Sequence, residues 1–110
     1  MKLIEMYIDA LENKDYEKLA SLFTKDGQYC DYSAHGISLQ PFHIYGKEAI
    51  SMFFRNEFFF KNYSITEPTI LNDTRASFIA SFGGYNIMAI ATLQQVSGDG
   101  HIRRLTVRQK

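Results

Sequence analysis

Asp31 is the residue of this chain whose type and setting best suit chemistry. It ends the run Leu22-Phe23-Thr24-Lys25-Asp26-Gly27-Gln28-Tyr29-Cys30-Asp31, in which a helix closes on two apolar residues, a polar turn follows and a strand begins. A carboxylate on a strand that starts beneath a helix is placed to point inward. Desolvation there raises its pKa, which suits proton abstraction near neutral pH. Tyr7, on the apolar stripe of the first helix, offers a phenol to the same interior. A structural reading stands beside this one: an aspartate flanked by Tyr29 and Tyr32 can be a hydrogen-bonded or solvated strand residue and nothing more. His35 and His43 are eight residues apart in an irregular segment. With Asp31 they would make the two-imidazole, one-carboxylate donor set of a facial metal site. Their spacing fits no ligand motif, so the expectation is no metal and no cofactor, with His35 and His43 as substrate-binding candidates, one of the pair serving at the mouth of a pocket as an acid or hydrogen-bond donor.

The elements that must hold these residues can be read from periodicity. Leu3, Ile4, Tyr7, Ile8 and Leu11 recur at helical spacing, with Glu5, Asp9 and Glu12 on the other side. Asp15 suits the N-cap of a second short helix whose apolar face is Leu19, Leu22 and Phe23. Lys25-Asp26-Gly27 is expected to close that helix, with Gly27 left-handed. A strand from about Gln28 to Ser33 follows. Ala34 to Tyr45 reads as an irregular connection, long enough to be a lid or pocket rim. A helix runs from Lys47 to about Phe60, with Ile50, Phe53, Phe54 and Glu57 at helical spacing. The remainder is β. Pro68 marks an edge strand, and Ala76, Phe78, Ala80 and Phe82 alternate with Ser77, Ile79 and Ser81. Gly83-Gly84 makes a tight hairpin. Tyr85 to Val96 is a long central strand, and His101 to Arg108 is the last one. Helices early and an antiparallel meander late mean an α+β domain.

Composition narrows the function classes. The chain has 110 residues, enough for one domain with its own core. Twelve Lys plus Arg balance twelve Asp plus Glu, so the basic footprint of a nucleic-acid or membrane-surface binder is missing. Arg103, Arg104 and Arg108 cannot all share one strand face. Nine Phe and seven Tyr suit an apolar cavity as well as a core. Cys30 is alone, which rules out an internal disulfide and a cysteine zinc site, and it should face away from Tyr29 and Asp31. No signal peptide or membrane span is visible, so the expected location is the cytoplasm.

The run Tyr7-Ile8-Asp9-Ala10-Leu11, then Asp15, Ser21-Leu22-Phe23, Asp26 and Asp31, resembles the opening of the nuclear transport factor 2-like superfamily, with the SnoaL-like proteins and ketosteroid isomerases the nearest branches. Gly46-Lys47-Glu48-Ala49-Ile50 followed by Phe53 is similar to that family's third-helix entry, and the Gly98-Asp99-Gly100-His101-Ile102 hairpin also fits. The resemblance spans residues 1–110 as one domain. It implies a cone-shaped, curled antiparallel sheet, closed by three helices of the N-terminal half around an apolar pocket. It sets Asp31 at the position of a general base and Tyr7 at the tyrosine of an oxyanion hole, the arrangement by which ketosteroid isomerases work. Thr92 falls where the second, protonated acid would be. Losing one such donor typically costs roughly a hundred- to a thousand-fold in rate, so steroid isomerisation itself is not expected. Phe53, Phe82, Met88 and Leu105 fall at pocket-lining positions. The expected function is a SnoaL-like small-molecule pocket protein, with acid/base catalysis of isomerase, cyclase or dehydratase type on a small apolar or carbonyl compound. The alternative is a non-catalytic ligand-binding or dimerisation module. The apolar outer face of the Tyr85–Val96 strand adds an expected homodimer.

Overall fold

A computed structural model describes residues 1–33 and 40–110, with every side chain among them except that of Phe82. The first helix, α1 (Leu3–Glu12), turns Ile4, Tyr7, Ile8 and Leu11 inward. Its first turn is tied by Glu5, whose carboxylate accepts from the Lys2 amide at 3.0 Å. α2 (Tyr16–Ser21) is capped by Asp15, which accepts from the Lys18 amide at 3.1 Å.

β1 (Phe23–Asp31) begins directly after α2, so Lys25-Asp26-Gly27 lies within a strand and does not close the helix. The pairing of β1 shifts register between Phe23 and Gln28, which bends the strand there. Gly27 is at this bend because of space and not because of handedness. An added Cβ would lie 3.0 Å from Phe23 Cβ and 3.1 Å from the Ile102 carbonyl oxygen. The segment expected to be irregular up to Tyr45 contains a further strand, β2 (Phe42–Tyr45), antiparallel to β1. Its alternation of half-buried and exposed residues is only four residues long, too short to stand out in the sequence.

α3 (Lys47–Phe59) starts at Gly46, whose φ of 93° explains the glycine. β3 (Ser64–Ile70), β4 (Arg75–Phe82), β5 (Tyr85–Val96) and β6 (Ile102–Gln109) complete one sheet in the order β2-β1-β6-β5-β4-β3. Neighbours are antiparallel except β1 and β6, which run parallel. Pro68 does lie on an edge strand, beside a register shift between Thr66 and Thr69. Gly83 and Gly84 both take positive φ in the β4–β5 hairpin.

Bulges in β1, β3 and β5–β6 curl the sheet around the helices. α3 crosses β1 and β2, α1 crosses β3 and β4, and α2 packs on α3. The inner face is built from Ala76, Phe78 and Ala80 on β4, Ala89, Ala91 and Leu93 on β5, and Leu105 and Val107 on β6. Alanines let α1 sit close to the sheet, while the aromatic rings of β1 and α3 fill the wider end. Among the described residues no helix is long and apolar enough to cross a membrane.

Candidate functional site

Strand alternation sends Tyr29 and Asp31 to the same, inner side of β1. Tyr29 pairs with Leu105 and Asp31 with Val107, both core residues. Cys30, between them, faces outward opposite His43 and Thr106, yet is itself buried. Asp31 is only 6% exposed. Its Oδ2 accepts from the Tyr29 hydroxyl at 2.8 Å. Its Oδ1 accepts from the Ser33 amide at 2.9 Å and the Ser33 hydroxyl at 2.5 Å. Burial pushes the carboxyl above its ordinary value, while the donors of Ser33 and then Tyr29 pull it part of the way back.

Three phenols surround this carboxylate. Tyr7 from α1, Tyr29 from β1 and Tyr63 just before β3 are all buried, and all feel the charge of Asp31. Tyr7 also interacts with the Tyr29 hydroxyl. Burial, reinforced by Asp31, pushes each phenol well above its usual range, so each stays a protonated donor. Glu57 of α3 supplies a second buried carboxylate. Burial raises it, the Lys61 ammonium at 3.2 Å opposes that rise, and Asp31 adds to it.

Tyr29, Asp31, Phe42, Phe53, Phe54, Glu57 and Tyr63 line one cavity. Its rings form walls: Phe42 meets Phe53 at 61°, Phe53 meets Phe54 at 87°, and Tyr29 stands 4.8 Å from Phe54 between centroids. The free space left inside is about 10 Å³, no more than a single water needs. A larger concavity of about 850 Å³ lies over α2 and the start of α3. It is open and lined by Glu17, Lys25, Asp26, Lys47 and Glu48, charged side chains at the surface with no enclosed reactive group among them. The buried carboxyls and phenols line the smaller cavity instead.

The structure brings Asp31, Tyr7 and Phe53 to this region, Phe53 as a wall and Tyr7 behind Tyr29. Leu105 is fully buried beneath it, between Tyr29 and Leu93. Met88, Thr92 and His43 do not join. The register sets Ala89 opposite Phe78 and Ala91 between Ala76 and Val107, so the odd residues of β5 face the helices. Met88 and Thr92 therefore point outward, and Met88 is 49% exposed. His43 lies on the outer face of β2, its ring edge-on to Tyr32 at 5.2 Å, on the far side of the sheet from Asp31. His35 and the side chain of Phe82 lie outside the described residues. Glu57 and Tyr29 were missed as site residues although both left a trace. Glu57 is a carboxylate within the apolar spacing of α3, and Tyr29 is two residues before Asp31 on the same face. Tyr63 and Phe42 left none, because only the sheet's curl brings them over.

No family model matches the sequence, and no curated protein does either. Solved structures do match over nearly the whole chain. A candidate ketosteroid isomerase from Kribbella flavida superposes with a TM-score of 0.69 at 20% identity, covering 98% of this chain and 75% of that one. A Catenulispora acidiphila protein of ketosteroid isomerase-like fold, solved in complex with trimethylamine, gives 0.64 at 20% identity over 98% and 85%. The orange carotenoid protein of Anabaena, binding canthaxanthin, gives 0.68 at 18% identity over 97% of this chain and 35% of that one. The fold is the ketosteroid isomerase-like, nuclear transport factor 2-like α+β cone.

Proposed function

We propose that this ketosteroid isomerase-like domain is a small-molecule pocket protein in which Asp31 is the proton-transfer group. The observation that carries the reading is the buried Asp31 carboxylate at the base of an aromatic cavity, with three phenols around it. A carboxyl raised by desolvation is matched to taking a proton from a carbon acid near neutral pH. Tyr63 brings a protonated phenol to the cavity lining, a donor type that can hold charge developing on a substrate oxygen, while Tyr29 and Tyr7 behind it steady the carboxylate. Glu57 is a second raised carboxyl in the same cavity, where the position compared with the family's second acid, Thr92, points away. The small organic molecules bound by the Catenulispora and Anabaena proteins support a ligand role for this fold.

Opening is required before a substrate can enter, because the cavity holds only about 10 Å³. Phe42 and Phe53 are half-buried walls on the solvent side and are the rings that must swing. The same closure favours a second reading, a binding module without turnover, since both oxygens of Asp31 are already engaged. The two separate in D2O. A panel of small carbonyl compounds is incubated with the protein and followed by NMR for exchange of acidic C–H protons. Exchange that is lost in Asp31→Asn and reduced less in Tyr7→Phe supports catalysis. Compounds that bind without Asp31-dependent exchange identify the module.

A further inference from the structure

The lining of this cavity is unusual in charge as well as in shape. Among the described residues its lining holds two carboxylates, Asp31 and Glu57, and five aromatic rings, and none that is basic. The hydrogen bonds to Asp31 come from neutral groups, Ser33 and Tyr29, so they solvate its charge without cancelling it. Buried carboxylates of this kind are stabilised most by a counter-charge. Ring faces attract a cation within about 6 Å of their centroids through the π quadrupole, more strongly once water is excluded.

One cation already rests on the rim of this arrangement. The Lys61 ammonium lies 3.2 Å from Glu57 Oε1 and 5.9 Å from the centroid of Phe42. It therefore meets one acid and one ring of the cavity together, while the Lys61 side chain stays 60% exposed and free to withdraw. An ammonium group on carboxylate and aromatic face is the pattern by which substituted ammonium ions are held. The Lys61 ammonium makes both of those contacts.

We propose that the cavity selects a small organic cation, a substituted ammonium with a compact apolar body, and that Lys61 is the internal competitor it displaces. The proposal rests on the pocket reading above and adds the charge of the ligand. A cation entering between Phe42, Phe53 and Glu57 exchanges one ammonium for another, so the carboxylate is never left bare. Its alkyl groups then fill the space that Phe42 and Phe53 give up. A neutral ligand of the same shape would have to displace Lys61 and leave Glu57 uncompensated.

The test compares choline with 3,3-dimethylbutan-1-ol, its uncharged isostere, by NMR titration and calorimetry on the full chain. Choline should perturb Phe42, Phe53 and Glu57 saturably and bind at least about tenfold more tightly than the alcohol, the scale of a desolvated cation–π contact. Lys61→Met, which keeps the alkyl stem and removes the competing charge, should tighten choline several-fold. Glu57→Gln should weaken choline by roughly tenfold and should not weaken the alcohol, which no longer strands a charge. Because Glu57 is buried, its variant is checked for native dispersion, and Lys61→Met at the surface gives the independent arm. If the alcohol binds as well as choline, the cation proposal fails and the pocket reading stands. If neither binds, even in Lys61→Met, the cation proposal fails as well, and the carbonyl panel alone decides the pocket reading.

Discussion

Two influences act on Asp31 in opposite directions, and their balance decides what the residue does. Burial favours its neutral form; the donors of Ser33 and Tyr29 favour the charged one. With burial the larger, the native state holds a proton more tightly than the unfolded chain above the free-aspartate value of 3.8. Stability from this group is therefore present at low pH and is lost as pH rises through that window, levelling above the native value. Asp31→Asn keeps the shape and the acceptor for Ser33 but carries no charge. Its melting temperature relative to wild type should rise between about pH 3.5 and pH 7, as thermal unfolding across that range will show; a constant difference would count against the assignment. Tyr29→Phe removes the donor to Oδ2. It should cost about 1–3 kcal/mol in urea unfolding, the usual penalty for stranding a buried partner, and push the Asp31 carboxyl higher still.

At the scale of elements, the site depends on the bend in β1 that tucks Tyr29 and Asp31 under α3. Gly27 makes that bend possible, because a Cβ added there would lie only 3.0 Å from the Phe23 side chain. Gly27→Val should cost about 1–3 kcal/mol by overpacking and disturb the Tyr29 and Asp31 amide resonances more than those of β3. Long periodic elements were legible in the sequence: α1, α3 and the β4–β5 hairpin lie where the spacing of Tyr7, Phe54 and Gly83-Gly84 put them. The inner face of β5 was not. Its even and odd residues are both apolar, so alternation alone could not choose between Met88 and Ala89, and the family resemblance chose the outer set. The register with Ala76 and Val107 decides it, and register is a property of the partner strands. Lys25-Asp26-Gly27 misled for a related reason, since a bulged strand and a helix-ending turn use the same residues.

For the molecule as a whole, the curled sheet gives one face to the helices, and among the described residues no helix covers the other. Ile79, Met88 and Ile90 are neighbours on that outer face, where the register aligns Ile79 with Met88. A second copy of the chain seated there remains the expected cover, and the formal charge of zero does little to oppose it. Light scattering at micromolar concentration should give twice the chain mass, and Met88→Glu should return the monomer without loss of fold. A wild-type monomer would remove the dimer and leave the pocket untouched.

The pocket's chemistry turns on whether Asp31 titrates as a buried, desolvated acid. Its side-chain carboxyl can be followed directly by ¹³C NMR across a pH titration of the intact protein, with Asp31→Asn identifying the resonance. The expected midpoint lies above 3.8. A midpoint at or below that value would mean that Ser33 and Tyr29 hold the carboxylate ionised as a structural group, and Asp31 would no longer be the proton acceptor of this fold.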